Sequence, residues 1–270
     1  MPYASIRGVR LYYELVGDPS SRNTVVLLNG IMASSASWKP LLRPLVTIGY
    51  RVLLHDFRGQ LRSGKPDDPW DFSEHAEDLQ CLMDHTGIVQ AHLAGISYGG
   101  EAALDAAASF PSRVTSVTAI TAAAASDILQ TAALNSWTEA AETLRGSEFF
   151  TAMIPYIYSP EYIRTHRDLL SRKSRAMDRM GKEYFRGQQL LYRSYLTQHF
   201  FHTLSRISCP ALVVGAEYDA LKPLKCSQAI AREIPGSEYV VIPACGHGVL
   251  QEKPRELLTI ILGFLVKHAR

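Results

Sequence analysis

The chain has 270 residues, 47% of them hydrophobic and 20% charged, an ordinary globular composition with enough length for a core that needs no disulfide staples. A net charge of +2 gives no overall bias toward polyanions such as nucleic acid. Cys81, Cys209, Cys226 and Cys245 form no CxxC pair and no zinc spacing, which predicts free thiols in a reducing compartment.

The opening MPYASIRGVR carries no apolar signal segment, and the late run LLTIILGFLV has ten residues, too few for a bilayer. We expect a cytoplasmic protein with no membrane span, the late run being a docking helix. In chain order, VRLYYELV alternates and predicts a strand over 9–16. TVVLLN is continuously apolar and ends at Asn29-Gly30, as in a strand buried on both faces. Trp38 to Ile48 predicts a helix, and YRVLLHDF the next strand. Ser73 to Thr86 has a Ser cap, helical spacing of apolar residues and Gly87 as its stop. AHLAGI is a strand, Tyr98 to Phe110 an Ala-rich helix and VTSVTAI another strand. ALVVGA and YVVIPA follow much later, each before a helix.

Strands alternating with helices imply an α/β fold with a parallel sheet. Ala122 to Arg206 breaks the rhythm: SWTEAAETLRG and SPEYIRTHRDLLSRKSRAMDRMGKEYF read as helices, and no strand is evident. The expected organisation is a core of residues 1–121 and 207–270 with a helical cap, 122–206, over the carboxyl edge of the sheet, where ligands bind in such folds. Arg172, Arg175, Arg179, Lys182 and Arg186 recur at spacings of 3, 4, 3 and 4. On one helix they would form a basic stripe, either a solvated face or a dock for an acidic carrier protein or a phosphate-bearing substrate.

The chemistry concentrates in four short stretches. Gly95-Ile96-Ser97-Tyr98-Gly99 fits G-x-S-x-G between a strand and a helix, a turn that lifts a serine hydroxyl above the sheet. Ser97 is the candidate nucleophile. It needs a base, and His247, between Gly246 and Gly248 in a strand-end loop, is the candidate. The other histidines read as surface or packing residues. An acid must orient the base. VVGAEYDALKP offers Glu217 and Asp219; Asp219 is preferred, with Glu217 as a solvated loop residue. The order Ser, Asp, His suits the nucleophile-elbow fold. Acyl transfer also needs backbone N–H donors for the oxyanion. The candidates are the N–H groups of Tyr98, just after the serine, and Ile31, in the bare loop NGIMASSAS.

With DFRGQLRSGKP, GISYGG, GAEYDALKP and GHGVLQEKP, the chain resembles the α/β hydrolases with a helical cap over nearly its whole length. The resemblance implies an α/β-hydrolase fold: a mostly parallel eight-stranded sheet flanked by helices. Two positions depart from the family pattern: Asn29-Gly30 stands where His-Gly is usual, and Leu61 replaces the second glycine of D-x-R-G-x-G-x-S. The stretch NGIMASSASW is similar to acyltransferases and thioesterases acting on 3-hydroxyacyl chains held by acyl carrier protein. The expected activity is hydrolysis of carboxylic esters or thioesters of a small acyl substrate through an acyl-enzyme, with no cofactor and no metal. The alternatives are acyl transfer or thioester cleavage on acyl carrier protein or CoA, and a non-catalytic ligand receptor.

Overall fold

The computed structural model describes residues 2–125, 127–143 and 145–269. The strands are β1 (Tyr3–Ile6), β2 (Val9–Val16), β3 (Thr24–Leu28), β4 (Arg51–His55), β5 (Ala91–Ile96), β6 (Val114–Ile120), β7 (Ala211–Ala216) and β8 (Glu238–Ile242). They form one sheet in the order β1-β2-β4-β3-β5-β6-β7-β8. β2 pairs antiparallel with β1 and with β4, and the remaining pairings are parallel. The helices are α1 (Lys39–Thr47), α2 (Glu74–His85), α3 (Tyr98–Ser109), α4 (Ile128–Thr143), α5 (Gly146–Ile157), α6 (Pro160–Thr165), α7 (Arg167–Met177), α8 (Lys182–Tyr195), α9 (Leu224–Glu233), α10 (Val249–Glu252) and α11 (Pro254–Lys267). None of the described helices is long and apolar enough to cross a membrane.

Both faces of the sheet are covered, which is why β3 is buried along its whole length. In β3, Val26 and Leu28 join the core layer that contains Leu79 and Leu104 from α2 and α3. Val25 and Leu27 point the other way, into the layer with Leu41, Ile261 and Phe264 from α1 and α11. The run TVVLL thus serves two cores at period two.

Three local features differ from the sequence reading. β1 is an additional strand, joined to β2 by Arg7-Gly8 with φ 45° and 80°. Such a two-residue turn suits the twist of a hairpin. Ser73 does not cap α2 through its side chain: its φ and ψ of −58° and −24° are already helical. The entry is instead a tight turn in which Glu74 and His75 N–H donate to the Asp71 and Phe72 carbonyls. The basic stripe is not on one helix either. Arg172 and Arg175 lie on α7, Arg179 falls in the following turn, and Lys182 and Arg186 begin α8 after Gly181. Arg186 is engaged by Asp67 and Glu183. A dock built on a single basic face is therefore corrected: the spacing ran through a helix stop.

α3 also holds Asp105 in the interior, where its Oδ1 accepts a hydrogen bond from Ser109 Oγ at 3.4 Å. Burial pushes this carboxyl up to about 6 from an unfolded value of 3.8. The folded state therefore binds the proton more tightly, so the group's stabilising contribution is full below the unfolded value and lost as pH rises through about 6. Asp105→Asn should raise unfolding free energy at pH ~7.5 by about 2–3 kcal/mol and change it little at pH ~4. Urea titrations at both pH values check this. An equal effect at the two pH values would contradict it.

Candidate active site

Ser97 stands between the end of β5 and the start of α3 with φ 54° and ψ −122°. A residue with a side chain occupies such angles at a cost of order 1–3 kcal/mol. The surrounding chain enforces the turn. Ser97 N–H donates to the Ile120 carbonyl on β6 at 2.8 Å. A Cβ at Gly95 would lie 2.0 Å from the Gly99 carbonyl oxygen, and one at Gly99 would lie 2.2 Å from the Leu28 carbonyl oxygen. Neither position admits a side chain, which accounts for both glycines of the pattern.

His247 and Asp219 come to the same place from the ends of β8 and β7. Asp219 is 4% exposed. Its Oδ1 accepts the N–H groups of Leu221 and Lys222 at 3.0 and 2.7 Å, and its Oδ2 lies 2.8 Å from His247 Nδ1. His247 Nε2 lies 2.9 Å from Ser97 Oγ. With Nδ1–H donated to the carboxylate, Nε2 is the ring's acceptor and faces the serine hydroxyl. Glu217 faces away: it is solvent-exposed, and its Oε2 accepts the Ala244 N–H at 2.7 Å. The loop bearing His247 is tied to the inserted helices. Gly248 N–H donates to the Ile157 carbonyl at 2.7 Å, and Ser159 N–H to Glu252 at 2.9 Å.

The loop after β3 runs beside Ser97. A Cβ at Gly30 would stand 3.6 Å from Ser97 Cβ, an ordinary contact. The steric need for glycine is thus at Gly95 and Gly99 and not at Gly30. Asn29 is fully buried. It accepts from Trp38 Nε1 at 3.0 Å and donates to the His55 carbonyl and Gln60 Oε1 at 2.7 and 3.1 Å. Gln60 Nε2 in turn donates to the Gly30 and Ile31 carbonyls at 2.7 and 3.1 Å. The Gly30 carbonyl and the Ile31 N–H share one planar trans peptide and point in opposite directions. Holding that carbonyl therefore fixes the Ile31 N–H on the side away from Gln60. Sequence reading missed Gln60, although it noted the departures at Asn29 and Leu61 on either side of this network.

Sequence reading also missed the two ions beneath Ser97. Lys222 Nζ lies 3.2 Å from Ser97 Oγ and forms an ion pair with Glu101. Burial pushes the Glu101 carboxyl up, and the Lys222 ammonium and the Ala123 N–H oppose that. Ser97, His247, Ile31 and Tyr98 open into a cavity of about 400 Å³. Leu134, Trp137, Met153, Ile154 and Tyr192 from the inserted helices form much of its wall. Its charged lining residues are Lys173 and Lys222, and no carboxylate lines it among the described residues. The Tyr158 ring packs near Lys173, whose ammonium burial pushes down.

Comparison with known proteins agrees with this architecture. A sequence model of the alpha/beta hydrolase fold family matches residues 23–254. A putative carbamate hydrolase, RutD, of Caulobacter sp. (strain K31) is 27% identical over 96% of this chain and 97% of its own length. The crystal structure of MGS-M2, an alpha/beta hydrolase enzyme from a Medee basin deep-sea metagenome library, superposes with a TM-score of 0.93 at 28% identity, covering 98% of this chain and 97% of that one. The enol-lactonase from Burkholderia xenovorans LB400 shares the fold with a TM-score of 0.88 at 22% identity, over 98% of this chain and 100% of that one. On its fold, its strand order and this match over most of its length, the chain belongs to the alpha/beta hydrolase fold family.

Proposed function

We propose that the chain is a serine hydrolase of carboxylic esters or thioesters, working through an acyl-enzyme. The observation that carries this reading is the continuous relay from Asp219 through His247 to Ser97, with contacts of 2.8 and 2.9 Å, at the wall of an apolar cavity. Ser97 Oγ attacks the substrate carbonyl carbon while its proton passes to His247 Nε2. Asp219 keeps the ring in the required tautomer and stabilises the imidazolium. The N–H groups of Ile31 and Tyr98 receive the oxyanion. Collapse expels the alcohol or thiol, which takes the proton from His247. Water then repeats the sequence on the acyl-enzyme. No step requires a cofactor.

The segment 122–206 acts as a cap that shapes the acyl site, since its side chains form the far wall of the cavity. An apolar wall with, among the described residues, two lysines and no carboxylate suits neutral or anionic acyl groups and disfavours cationic ones. The name of the Caulobacter relative adds carbamates, whose carbonyl carbon the same serine would attack. With no single basic helix face, docking of acyl carrier protein has no support beyond the NGIMASSASW similarity. Hydrolysis in a cytoplasmic setting is the simpler reading.

A panel of nitrophenyl esters, acyl-CoA thioesters and a carbamate tests the proposal. We expect ester and small thioester turnover that follows acyl chain length, with esters of cationic acids such as glycine betaine poor substrates. A folded protein that turns over none of them would favour the receptor reading.

A further inference from the structure

We propose that Lys222 is a catalytic residue of this site: its ammonium, anchored by Glu101, donates a hydrogen bond to Ser97 Oγ and stabilises the negative charge on that oxygen as it attacks and as it leaves. This inference rests on the serine-hydrolase reading above.

The placement is specific. Lys222 Nζ lies 3.2 Å from Ser97 Oγ and 4.9 Å from the centroid of the Tyr195 ring. The Lys222 and Glu101 side chains are 5% and 0% exposed. Glu101 lies one turn beyond Ser97 on α3, with its N–H donating to the Ser97 carbonyl at 3.1 Å, so helical spacing sets its carboxylate behind the serine. The Ala123 N–H holds the same carboxylate oxygen as Lys222, at 2.8 Å. The backbone N–H of Lys222 also fixes Asp219 Oδ1 at 2.7 Å. One residue thus touches both the proposed nucleophile and the acid that orients its base.

Packing alone is a poor reason for this pair. A buried ion pair gives up the solvation of both charges, and apolar residues of similar volume usually stabilise an interior as well or better. A cation facing a serine hydroxyl has a use there. When the Ser97 proton moves to His247 Nε2, negative charge develops on Oγ within hydrogen-bond distance of an ammonium. In deacylation the bond between the acyl carbonyl carbon and Oγ breaks, and the departing Oγ carries that charge until His247 returns the proton. Lys222 keeps its own protons throughout. His247 must become cationic in the same steps, which a lone lysine nearby would oppose. Glu101 offsets that repulsion, so the pair acts as a local dipole with its positive end at Oγ.

Lys222→Met alone would strand a buried carboxylate, so a loss of activity in it would not separate chemistry from folding. The decisive variants are K222M/E101Q, which removes both charges and retains an acceptor for Ala123 N–H, and K222Q/E101Q, in which two amides replace the ions. Each is compared with wild type for melting temperature, for KM and kcat on a neutral nitrophenyl ester, and for the rate of fluorophosphonate labelling. In the folded variants we expect KM within about twofold of wild type and kcat and labelling rate reduced about 10- to 100-fold. Wild-type kcat and labelling in either folded double variant would overturn the proposal and leave the pair as packing. Failure of the wild-type protein itself to label or turn over would instead overturn the serine-hydrolase reading.

Discussion

Ser97→Ala should abolish ester turnover, with a loss of about 10⁶ in kcat. The change deletes the one atom that both His247 Nε2 and Lys222 Nζ approach, at 2.9 and 3.2 Å. Alanine keeps the Cβ, so the strained angles at this position, φ 54° and ψ −122°, are neither relieved nor worsened. Melting temperature should hardly move. Purified variant and wild type are compared by initial rates on a short nitrophenyl ester and by a thermal melt. A variant that retains a tenth of wild-type turnover would remove Ser97 from the mechanism.

Asp219→Asn should cost about 10⁴ in kcat, the scale expected when the orienting acid of such a relay becomes an amide. The local hydrogen bonds dictate the direction of the effect. Two backbone N–H groups, of Leu221 and Lys222, hold Oδ1 as an acceptor. An asparagine must therefore keep its carbonyl oxygen there and turn its NH₂ toward His247 Nδ1. The ring then carries its proton on Nε2 and has no acceptor for the serine hydroxyl. Glu217→Gln should stay near wild type, because Glu217 is exposed and its contact is with the Ala244 N–H. Steady-state rates of the two amide variants separate these residues, and the reverse pattern would reassign the acid.

These residues stand out in the sequence for a local reason. The turn at Ser97 needs glycine two residues before and two after, because backbone oxygens occupy both Cβ positions. That requirement is written within five residues. Asp219 and His247 lie in the loops that follow β7 and β8, which end at Ala216 and Ile242, so strand ends mark them. The alternation of strands and helices likewise made the core legible, β1 excepted, where four residues and an Arg-Gly turn give a weak pattern.

The missed features depend on contacts between distant segments. Lys222 meets Glu101 across 121 residues, and Gln60 meets Gly30 across 30. Lysine, glutamate and glutamine are ordinary surface residues, so their type alone signals nothing. One trace existed: Glu101 lies in the first turn of the Ala-rich YGGEAALDAAAS, a helix buried along nearly its whole length. The basic residues of 172–186 misled for the opposite reason. Their spacing is helical, but the turn at Asp178–Met180 and Gly181 at the start of α8 divide them between two helices.

The central claim is that Ser97 forms a covalent intermediate. Incubation with a fluorophosphonate, followed by intact-mass measurement and peptide mapping, tests it most directly. The account predicts one phosphonyl group per chain, located on the peptide containing Ser97, added in step with the loss of esterase activity and absent from Ser97→Ala. Inactivation with the adduct on another residue, or undiminished turnover by fully labelled protein, would contradict it.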